Sequence, residues 1–299
     1  MTQTSRNLHL RGLMLSAAGI VILSPDALLL RLVGNTDIWT VIFYRTLFMG
    51  GALALGLLVH YRRRFIPAFR QIGWLGLVSA ALLAASNFGF VGAITHTTVT
   101  NTLVILATTP LFSAVFGWLM MGEKVRLRTW LSILAAIAGI VVIFHDSLGM
   151  GSWLGDLMAL GVAFVWGLNL VVVRMAGRRD MTPSLCVSGF LSAAVSFPLS
   201  SAPGAINAHD LIVLAILGCL VLPLAFGLFI RGAHYVPAAE VALLAPIETV
   251  LGPIWVWIGV GEVPSIASLV GGAIVLAAIF VNSILALREP SRRNHFTSS

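Results

Sequence analysis

The sequence has few charged residues. Asp, Glu, Lys and Arg together make up 10% of its 299 residues, whereas hydrophobic residues make up 59%. A soluble domain carries about 25% charged residues, so this composition excludes an ordinary soluble protein. The mean hydropathy of +0.99 points the same way. We therefore predict a polytopic membrane protein whose apolar segments lie in a lipid bilayer.

Cysteines, metal-ligand patterns and nucleotide-binding motifs are also scarce. The two cysteines, Cys186 and Cys219, lie inside apolar runs and predict no disulfide framework. The seven histidines fall in or near predicted loops without the spacing of metal ligands, so we expect no metal site. No Gly-x4-Gly-Lys-Ser/Thr loop is present. We therefore expect neither a cofactor nor an ATPase subunit.

Ten apolar segments are each long enough to cross a bilayer as a helix, which requires about 20 residues. They cover approximately residues 12–32, 38–60, 72–94, 98–121, 129–146, 152–174, 184–201, 210–232, 238–260 and 266–287. The net charge of +7 is compatible with nucleic-acid binding, but the arginines are scattered between apolar segments, as topogenic charges are. Almost all Lys and Arg residues fall in alternate loops, which predicts that both termini are cytoplasmic. We expect the chain to contact the lipid bilayer and to bind no nucleic acid.

Two segments about half a chain apart end in the same pattern, Trp-x3-Gly-Glu. Residues 98–123 align with residues 237–262 without a gap, and the pattern closes a hydrophobic helix both times. We interpret this match as an internal repeat, with halves at residues 1–148 and 149–299. Each half has an odd number of spans, so the halves must be inverted relative to each other. The predicted fold is an all-α integral membrane protein of ten transmembrane helices in two inverted five-helix repeats.

The ninth predicted span places a carboxyl group near the middle of the bilayer. A charged side chain at the depth of Glu248 costs about 2.5–3.5 kcal/mol or more. Pro246 and Pro253 lack N–H groups and leave backbone carbonyls unpaired, which hydrocarbon does not tolerate. We therefore expect this helix to face a polar interior, with Gly252 leaving space on the face of Glu248. The alternative is a buried carboxyl that only hydrogen-bonds a neighbouring helix.

Two further acidic residues suggest ion pairs. Asp26 in span one and Arg45 in span two lie at similar depths, and an unpaired charge there would be costly. We predict an ion pair, and its role stays open between structure and gating or substrate binding. Glu123 lies at a helix end just before Lys124, so we expect it to cap the helix or to pair locally.

Other polar and aromatic residues recur on single helix faces. Asn87 and Phe90 share a face of span three, and Trp166 and Asn169 share a face of span six. Asn101 lies on one face of span four. For each of these, helix–helix packing is the alternative role. The candidate substrate-binding residues are Glu248, Asn87, Asn101, Trp166, Asn169, Phe90 and Pro246.

Several local motifs accompany this organisation. They are Phe-Tyr-Arg at 43–45, the run from Pro110 to Gly122-Glu123, and Trp-Gly-x-Asn at 166–169. With these motifs the chain resembles the EamA family of the drug/metabolite transporter superfamily over almost its whole length. Span nine, from Ala245 to Trp255, looks most like the YddG-type amino-acid exporters.

The resemblance implies export of aromatic and other amino acids across the bacterial cytoplasmic (inner) membrane, through a central cavity between the halves. Two departures lie near that presumed cavity. Glu248-Thr249 stands where the family often has Glu-Pro, and Ser24-Pro25-Asp26 stands where relatives have a first-helix Trp. Substrate choice therefore does not simply carry over from relatives.

The leading function is a secondary transporter that exports amino acids by alternating access. A zwitterion requires an acceptor for its ammonium group, donors for its carboxylate, and an apolar lining. Glu248 could meet the first need, the asparagines the second, and Trp166 with Phe90 the third. An exporter of drugs or other small metabolites is the alternative. An intramembrane enzyme would need a nucleophile and base, or metal ligands, at one depth; no such set converges, so we predict no enzyme.

Overall fold

The computed structural model describes residues 3–34, 36–123, 125–177, 179–201, 204, 206–233 and 244–288. All regular secondary structure in these residues is helical, which confirms the all-α prediction. The helices are α1 Gln3–Leu23, α2 Asp26–Leu32, α3 Ile38–Tyr61, α4 Phe65–Gln71, α5 Gly73–His96, α6 Val99–Leu106, α7 Thr109–Met121, α8 Leu127–Met150, α9 Trp153–Met175, α10 Thr182–Ser196, α11 Ala208–Ile216, α12 Leu222–Ala233, α13 Ala245–Val260 and α14 Ile266–Arg288.

Nine segments within the described residues are long and apolar enough to cross a membrane. They are Leu10–Leu32, Ile38–Gln71, Gly73–His96, Val99–Met121, Leu127–Met150, Trp153–Met175, Thr182–Leu199, Ala208–Phe229 and Ile266–Leu285. They match the first eight predicted spans and the tenth. The predicted ninth span, 238–260, begins outside the described residues, and its described part, α13, has 16 residues. A total of ten spans and the inversion of the halves therefore stay predictions.

Several of these spans are broken helices, and the breaks lie next to prolines. The first span divides into α1 and α2 at Pro25, and the fourth divides into α6 and α7 just before Pro110. The eighth contains a π-helical turn, Leu217–Val221, ahead of Pro223. Proline lacks an N–H group and clashes with the preceding turn, so the regular helix ends or distorts there. In hydrocarbon, backbone groups freed at such breaks require partners from the protein or from water.

Small residues set the closest approaches between helices. α5 packs against α9, α8 against α14, α1 against α12 and α3 against α10. In the α8–α14 pair, a Cβ added at Gly139 would lie 2.7 Å from the carbonyl oxygen of Gly271. In the α3–α10 pair, Gly189 would meet the backbone of Gly50 at 2.9 Å. These contacts join segments far apart in sequence, as small residues do in membrane proteins.

The two Trp-x3-Gly-Glu segments end their helices in the same way. Gly122 after α7 and Gly261 after α13 both adopt left-handed backbone conformations, with φ of 66° and 72°, as helix-ending glycines do. The prediction that Glu123 caps the helix or pairs locally stays a prediction, because Lys124 lies outside the described residues. The carboxylate of Glu123 also pairs with Arg174 of α9, 3.0 Å away, because α7 and α9 pack side by side and bring the end of α9 to this glutamate.

Candidate functional site

A buried ion pair joins α2 to α3. Nη2 of Arg45 lies 2.8 Å from Oδ2 of Asp26, and the two side chains are 4% and 7% exposed. The break at Pro25 makes Asp26 the first residue of α2. There its negative charge also faces the positive end of the helix dipole. The structure thus brings together the two residues whose depths predict a pair.

Arg45 also reaches two predicted site residues on α5. Its Nη1 donates to Oδ1 of Asn87 at 3.2 Å, and its guanidinium carbon lies 5.7 Å from the ring centroid of Phe90. Nδ2 of Asn87 donates in turn to Oγ of Ser192 on α10, at 3.2 Å. One guanidinium therefore connects α2, α3 and α5, and Asn87 extends the connection to α10.

Asp26, Arg45, Asn87 and Ser192 form a connected group, the Arg45 cluster, and two of its polar atoms are without hydrogen-bond partners in the described chain. Within the described part of the chain, Nε of Arg45 and Oδ1 of Asp26 are buried and have no hydrogen-bond partner. A buried polar group without a partner costs about 1–3 kcal/mol. The cluster therefore presents one N–H donor and one carboxylate acceptor that a bound molecule could satisfy.

Glu248 lies in the first turn of α13 and is half-buried. Its carboxyl group is close enough to that of Asp26 for the two to interact electrostatically. None of the ion pairs between described residues involves Glu248. This carboxyl group thus lies near the Arg45 cluster and is not itself neutralised by a basic residue of the described chain.

Helix α13 is held against the break in the first span. Nε1 of Trp255 donates to Oγ of Ser24 at 2.9 Å. The expectation that Gly252 leaves open space is wrong, because the side chain of Leu103 fills that position: an added Cβ would lie 2.1 Å from Leu103 Cδ1. Pro246 is in the first turn of α13, where a missing N–H costs nothing, but its side chain lies outside the described residues.

Two aromatic rings stack between α9 and α12. Trp166 of α9 and Phe226 of α12 have ring centroids 6.5 Å apart and planes inclined by 17°. Phe226 and Phe90 both pack against the same apolar core, which includes Leu103. Trp166 makes no hydrogen bond to the Arg45 cluster among the described contacts.

The other two predicted asparagines lie elsewhere. Oδ1 of Asn169 accepts from Oγ of Ser79 at 2.6 Å, in the packed contact between α9 and α5. Ser79 precedes Asn87 by eight residues on α5, about 12 Å along the helix. Asn101 belongs to a separate polar cluster, in which its Nδ2 donates to Ser147 at 3.1 Å. The structure does not bring Asn101 and Asn169 to the Arg45 cluster.

A residue that we did not single out, Ser192, completes the cluster. It lies in a stripe of fully buried serines on α10, spaced four residues apart: Ser184, Ser188, Ser192 and Ser196. The Ser192 hydroxyl donates to the Ser188 carbonyl at 2.8 Å, which leaves its lone pairs to accept from Asn87. The period of four on an apolar helix was the available signal, since it places all four hydroxyls on one face.

Other surfaces of the described chain offer less chemistry. An open depression of about 930 Å³ is lined by Arg70, Gln71, Gly73, Ala176, Arg179 and Asp180. It contains none of the predicted site residues. Among the described residues no group of three His, Cys, Asp or Glu side chains could hold a metal ion.

Buried charges beside breaks in membrane-spanning helices are the arrangement that secondary transporters use for substrates and ions. The comparison with known families agrees with that class. The sequence profile of the EamA-like transporter family matches residues 9–145 and again residues 153–284. The chain therefore belongs to the EamA-like transporter family and is a multi-pass integral membrane protein. The predicted boundary between residues 148 and 149 lies between the two matched segments, and it stays a prediction.

Individual relatives are distant. A protein of Methanothermobacter thermautotrophicus named "Uncharacterized transporter" is 27% identical over 230 residues, which cover 69% of this chain and 61% of the relative. A Clostridium kluyveri protein of the same name is 20% identical over 227 residues, covering 71% and 72% of the two chains. The "Uncharacterized inner membrane transporter YhbE" of Escherichia coli K12 is 27% identical over 181 residues, covering 56% and 54%.

A solved crystal structure has a similar fold. Its TM-score to this chain is 0.67 at 19% sequence identity, and the match covers 93% of this chain and 99% of the other. This likeness concerns the fold alone. The substrate must therefore be argued from the site.

Proposed function

We propose that this protein is a secondary transporter that exports amino acids, with aromatic and other neutral ones favoured, across the bacterial cytoplasmic membrane. Transport proceeds by alternating access through a cavity between the two halves, and both termini are cytoplasmic. The observation that supports the substrate class best is the placement of Glu248 beside the Asp26–Arg45 pair, whose Arg45 Nε has no partner in the described chain.

An amino acid complements this arrangement at each of its three parts. Its carboxylate would accept from Arg45 Nε, and a charge-assisted hydrogen bond of this kind is stronger than a neutral one. Its ammonium group would donate to Glu248 and to Oδ1 of Asp26, the buried acceptor without a partner. Its side chain would lie against Phe90 and the stacked rings of Trp166 and Phe226, which favours aromatic and apolar side chains.

The Asp26–Arg45 pair has two roles in this proposal. It fixes α2 to α3, and it uses Nη2 of the guanidinium for Asp26, which leaves Nε without a partner in the described chain. The pair is thus structural in the absence of substrate and contributes to binding in its presence. A gating role would require the pair to separate during transport.

The alternative is an exporter of drugs or other small metabolites, and one observation favours it. Glu248 has no basic partner among the described residues, so the site as a whole has an excess of negative charge. A lipophilic cation could neutralise Glu248 and stack against Trp166 without using Arg45.

Counterflow in proteoliposomes distinguishes these functions. The purified protein would be reconstituted into liposomes loaded with one unlabelled amino acid, and uptake of the labelled form would be measured across a panel of amino acids. We expect uptake of unmodified neutral and aromatic amino acids that empty liposomes lack. If the protein moves lipophilic cations and no amino acid, the alternative is correct. Recovery of a chemically altered solute would contradict transport and indicate an enzyme.

A further inference from the structure

A second buried polar cluster lies where five parts of the chain meet. It is formed by Asp156 at the start of α9, Thr97 at the end of α5, Asn101 on α6, Ser147 near the end of α8 and Ser268 near the start of α14. Four of these side chains surround the carboxyl group of Asp156 directly or through one neighbour. The cluster is separate from the Arg45 cluster, with which it shares no hydrogen bond in the described chain.

Asp156 is the centre of this cluster and is fully buried, with 0% of its surface exposed. Its Oδ1 accepts from Oγ1 of Thr97 at 2.6 Å and from Nδ2 of Asn101 at 3.3 Å, and Asn101 also donates to Ser147. Its Oδ2 is buried and has no partner among the described residues. The second oxygen therefore keeps its capacity to bind a proton or a cation.

No basic side chain of the described residues neutralises Asp156. The other two buried aspartates differ in this respect. Asp26 has Arg45, and both oxygens of Asp210 have partners, including the Gly34 N–H at 3.1 Å and Asn207 Nδ2 at 3.0 Å. An isolated ionised carboxylate in a low-dielectric interior is very costly. Among the described residues, therefore, no basic side chain compensates an ionised Asp156.

We propose that the Asp156 cluster is a binding site for a small monovalent cation, either a proton or Na⁺. A proton on Oδ2 would neutralise the carboxyl group. Na⁺ would take oxygen ligands from the carboxylate and from the Thr97 hydroxyl beside it, and Ser268 would support this arrangement through Asn101. Either ion removes the uncompensated charge, the proton by a covalent bond to one oxygen and Na⁺ by coordination. The proposal concerns cation binding and holds whichever solute is transported.

A chain of hydrogen bonds connects Asp156 to Asp146 of α8. Asp146 of α8 is half-buried, and its Oδ2 accepts from Oγ of Ser265 at 2.7 Å. Ser265 contacts Ser268 at 2.9 Å, and Ser268 donates to Oδ1 of Asn101. Asn101 then donates to Asp156. The buried carboxyl group is thus linked through polar side chains to a half-buried carboxyl group on α8.

The site is also linked to a contact between the two predicted halves. The carbonyl oxygen of Thr97, whose hydroxyl binds Asp156, accepts from Nη2 of Arg31 at 2.8 Å. Arg31 is in turn paired with Glu262. The titratable groups of the described chain that hydrogen bonds or ion pairs connect to the cluster are therefore Asp146 of α8, Arg31 of α2 and, through Arg31, Glu262 after α13, and His96 precedes Thr97 with its side chain exposed.

The test uses the purified full-length protein in nanodiscs and needs no knowledge of the solute. Infrared difference spectra would be recorded between acidic and alkaline buffer without Na⁺, and between NaCl and choline chloride at alkaline pH. A proton site gives a carboxylic-acid band that is lost at alkaline pH. A Na⁺ site gives a change in carboxylate bands and a thermal stabilisation specific to Na⁺. Either signal must disappear in Asp156→Asn and persist in the control Asp210→Asn.

A second variant keeps the test decisive if Asp156→Asn does not fold. Ser268→Ala keeps the Asp156 carboxyl group and removes the hydroxyl group that is linked to it through two hydrogen bonds, by way of Asn101. We expect it to shift the proton or Na⁺ midpoint by about tenfold, as loss of a supporting residue typically does. The proposal is overturned if the wild type shows neither signal, if the signal survives Asp156→Asn, or if Ser268→Ala leaves the midpoint unchanged.

Discussion

Arg31 and Glu262 form an ion pair in which Nη2 lies 2.9 Å from Oε2. The pair joins the end of the first span to the residue that follows α13. Glu262 also accepts from the backbone N–H of Val99 through Oε1, at 2.7 Å, and Arg31 donates to the carbonyl oxygen of Thr97. Two side chains thus hold α2, α13 and the loop between α5 and α6 together.

The equivalent glutamate in the other half makes the equivalent kind of contact. Glu123 pairs with Arg174 at the end of α9, 3.0 Å away. In the predicted topology these two pairs lie at opposite faces of the membrane, and each joins a glutamate of one half to an arginine of the other. They differ in environment, since the side chains of Glu123 and Arg174 are 44% and 42% exposed, against 19% and 27% for Glu262 and Arg31.

This difference predicts unequal costs of removing the two glutamates. Glu262→Gln should lower the free energy of unfolding by about 1–3 kcal/mol, because it weakens charge-assisted hydrogen bonds to groups that water reaches poorly. The matched change Glu123→Gln should cost about 0–1 kcal/mol, because its pair is exposed. Unfolding in mixed micelles of increasing SDS content measures both values. Equal losses of unfolding free energy in the two variants would contradict the expectation that the less exposed pair contributes more.

The Asp26–Arg45 pair should be strongly coupled. Asp26→Asn alone leaves Arg45 buried without its counter-ion, which typically costs about 3–5 kcal/mol. The double variant Asp26→Asn/Arg45→Gln removes both charges and should recover part of that loss. The measurement is a double-mutant cycle of unfolding free energies for folded, monodisperse variants. Additive effects would show that the two residues do not interact.

Much of this architecture could be predicted from the sequence. Nine of the ten predicted spans coincide with helical segments of the described chain, because long apolar runs with sparse charge have few other solutions. The contact between Asp26 and Arg45 followed from matching depths. Depth along a helix is set by residue number alone, and so it is accessible without a structure.

Other features depend on the rotation and contact of helices, which residue number does not determine. Asn101 and Asn87 both looked like site residues, yet their side chains face different clusters. The partner of Glu123 on α9, Arg174, could not be foreseen, because it depends on the packing of α7 on α9. Gly252 looked like open space, and a leucine from another helix fills it. Each error arose because the neighbouring helix was unknown.

The topology can be tested by single-cysteine labelling after replacement of Cys186 and Cys219. Ser147 is unsuitable as an outer marker, because the structure buries it fully. Leu148 is 62% exposed and serves as the outer marker, and Arg63 is exposed and lies in a predicted cytoplasmic loop. We expect an impermeant maleimide to label Leu148→Cys in intact cells and Arg63→Cys only after lysis. If only position 63 is labelled from outside, the protein has the opposite orientation to the predicted one.

The last prediction concerns Glu248, whose carboxyl group has no basic partner in the described chain and lies near Asp26. Glu248→Gln keeps the shape and the hydrogen-bonding atoms but removes the charge. If this carboxylate binds the ammonium group of an amino acid, the variant should insert at normal levels and lose about tenfold in apparent affinity, or ~1.4 kcal/mol. The measurement is the concentration dependence of counterflow in proteoliposomes.

Analogues and a matched variant separate substrate binding from a general defect. For analogues that lack the α-amino group, Glu248→Gln should cause a smaller loss, because those molecules have no cation for Glu248 to bind. Glu123→Gln removes a carboxylate of the same type that is far from Arg45 and 44% exposed, and it should leave the affinity unchanged. A charge in contact with the ammonium group cannot be removed without a loss of affinity. If a well-folded Glu248→Gln protein binds both classes of compound with unaltered affinity, the carboxyl group therefore only hydrogen-bonds a neighbouring helix.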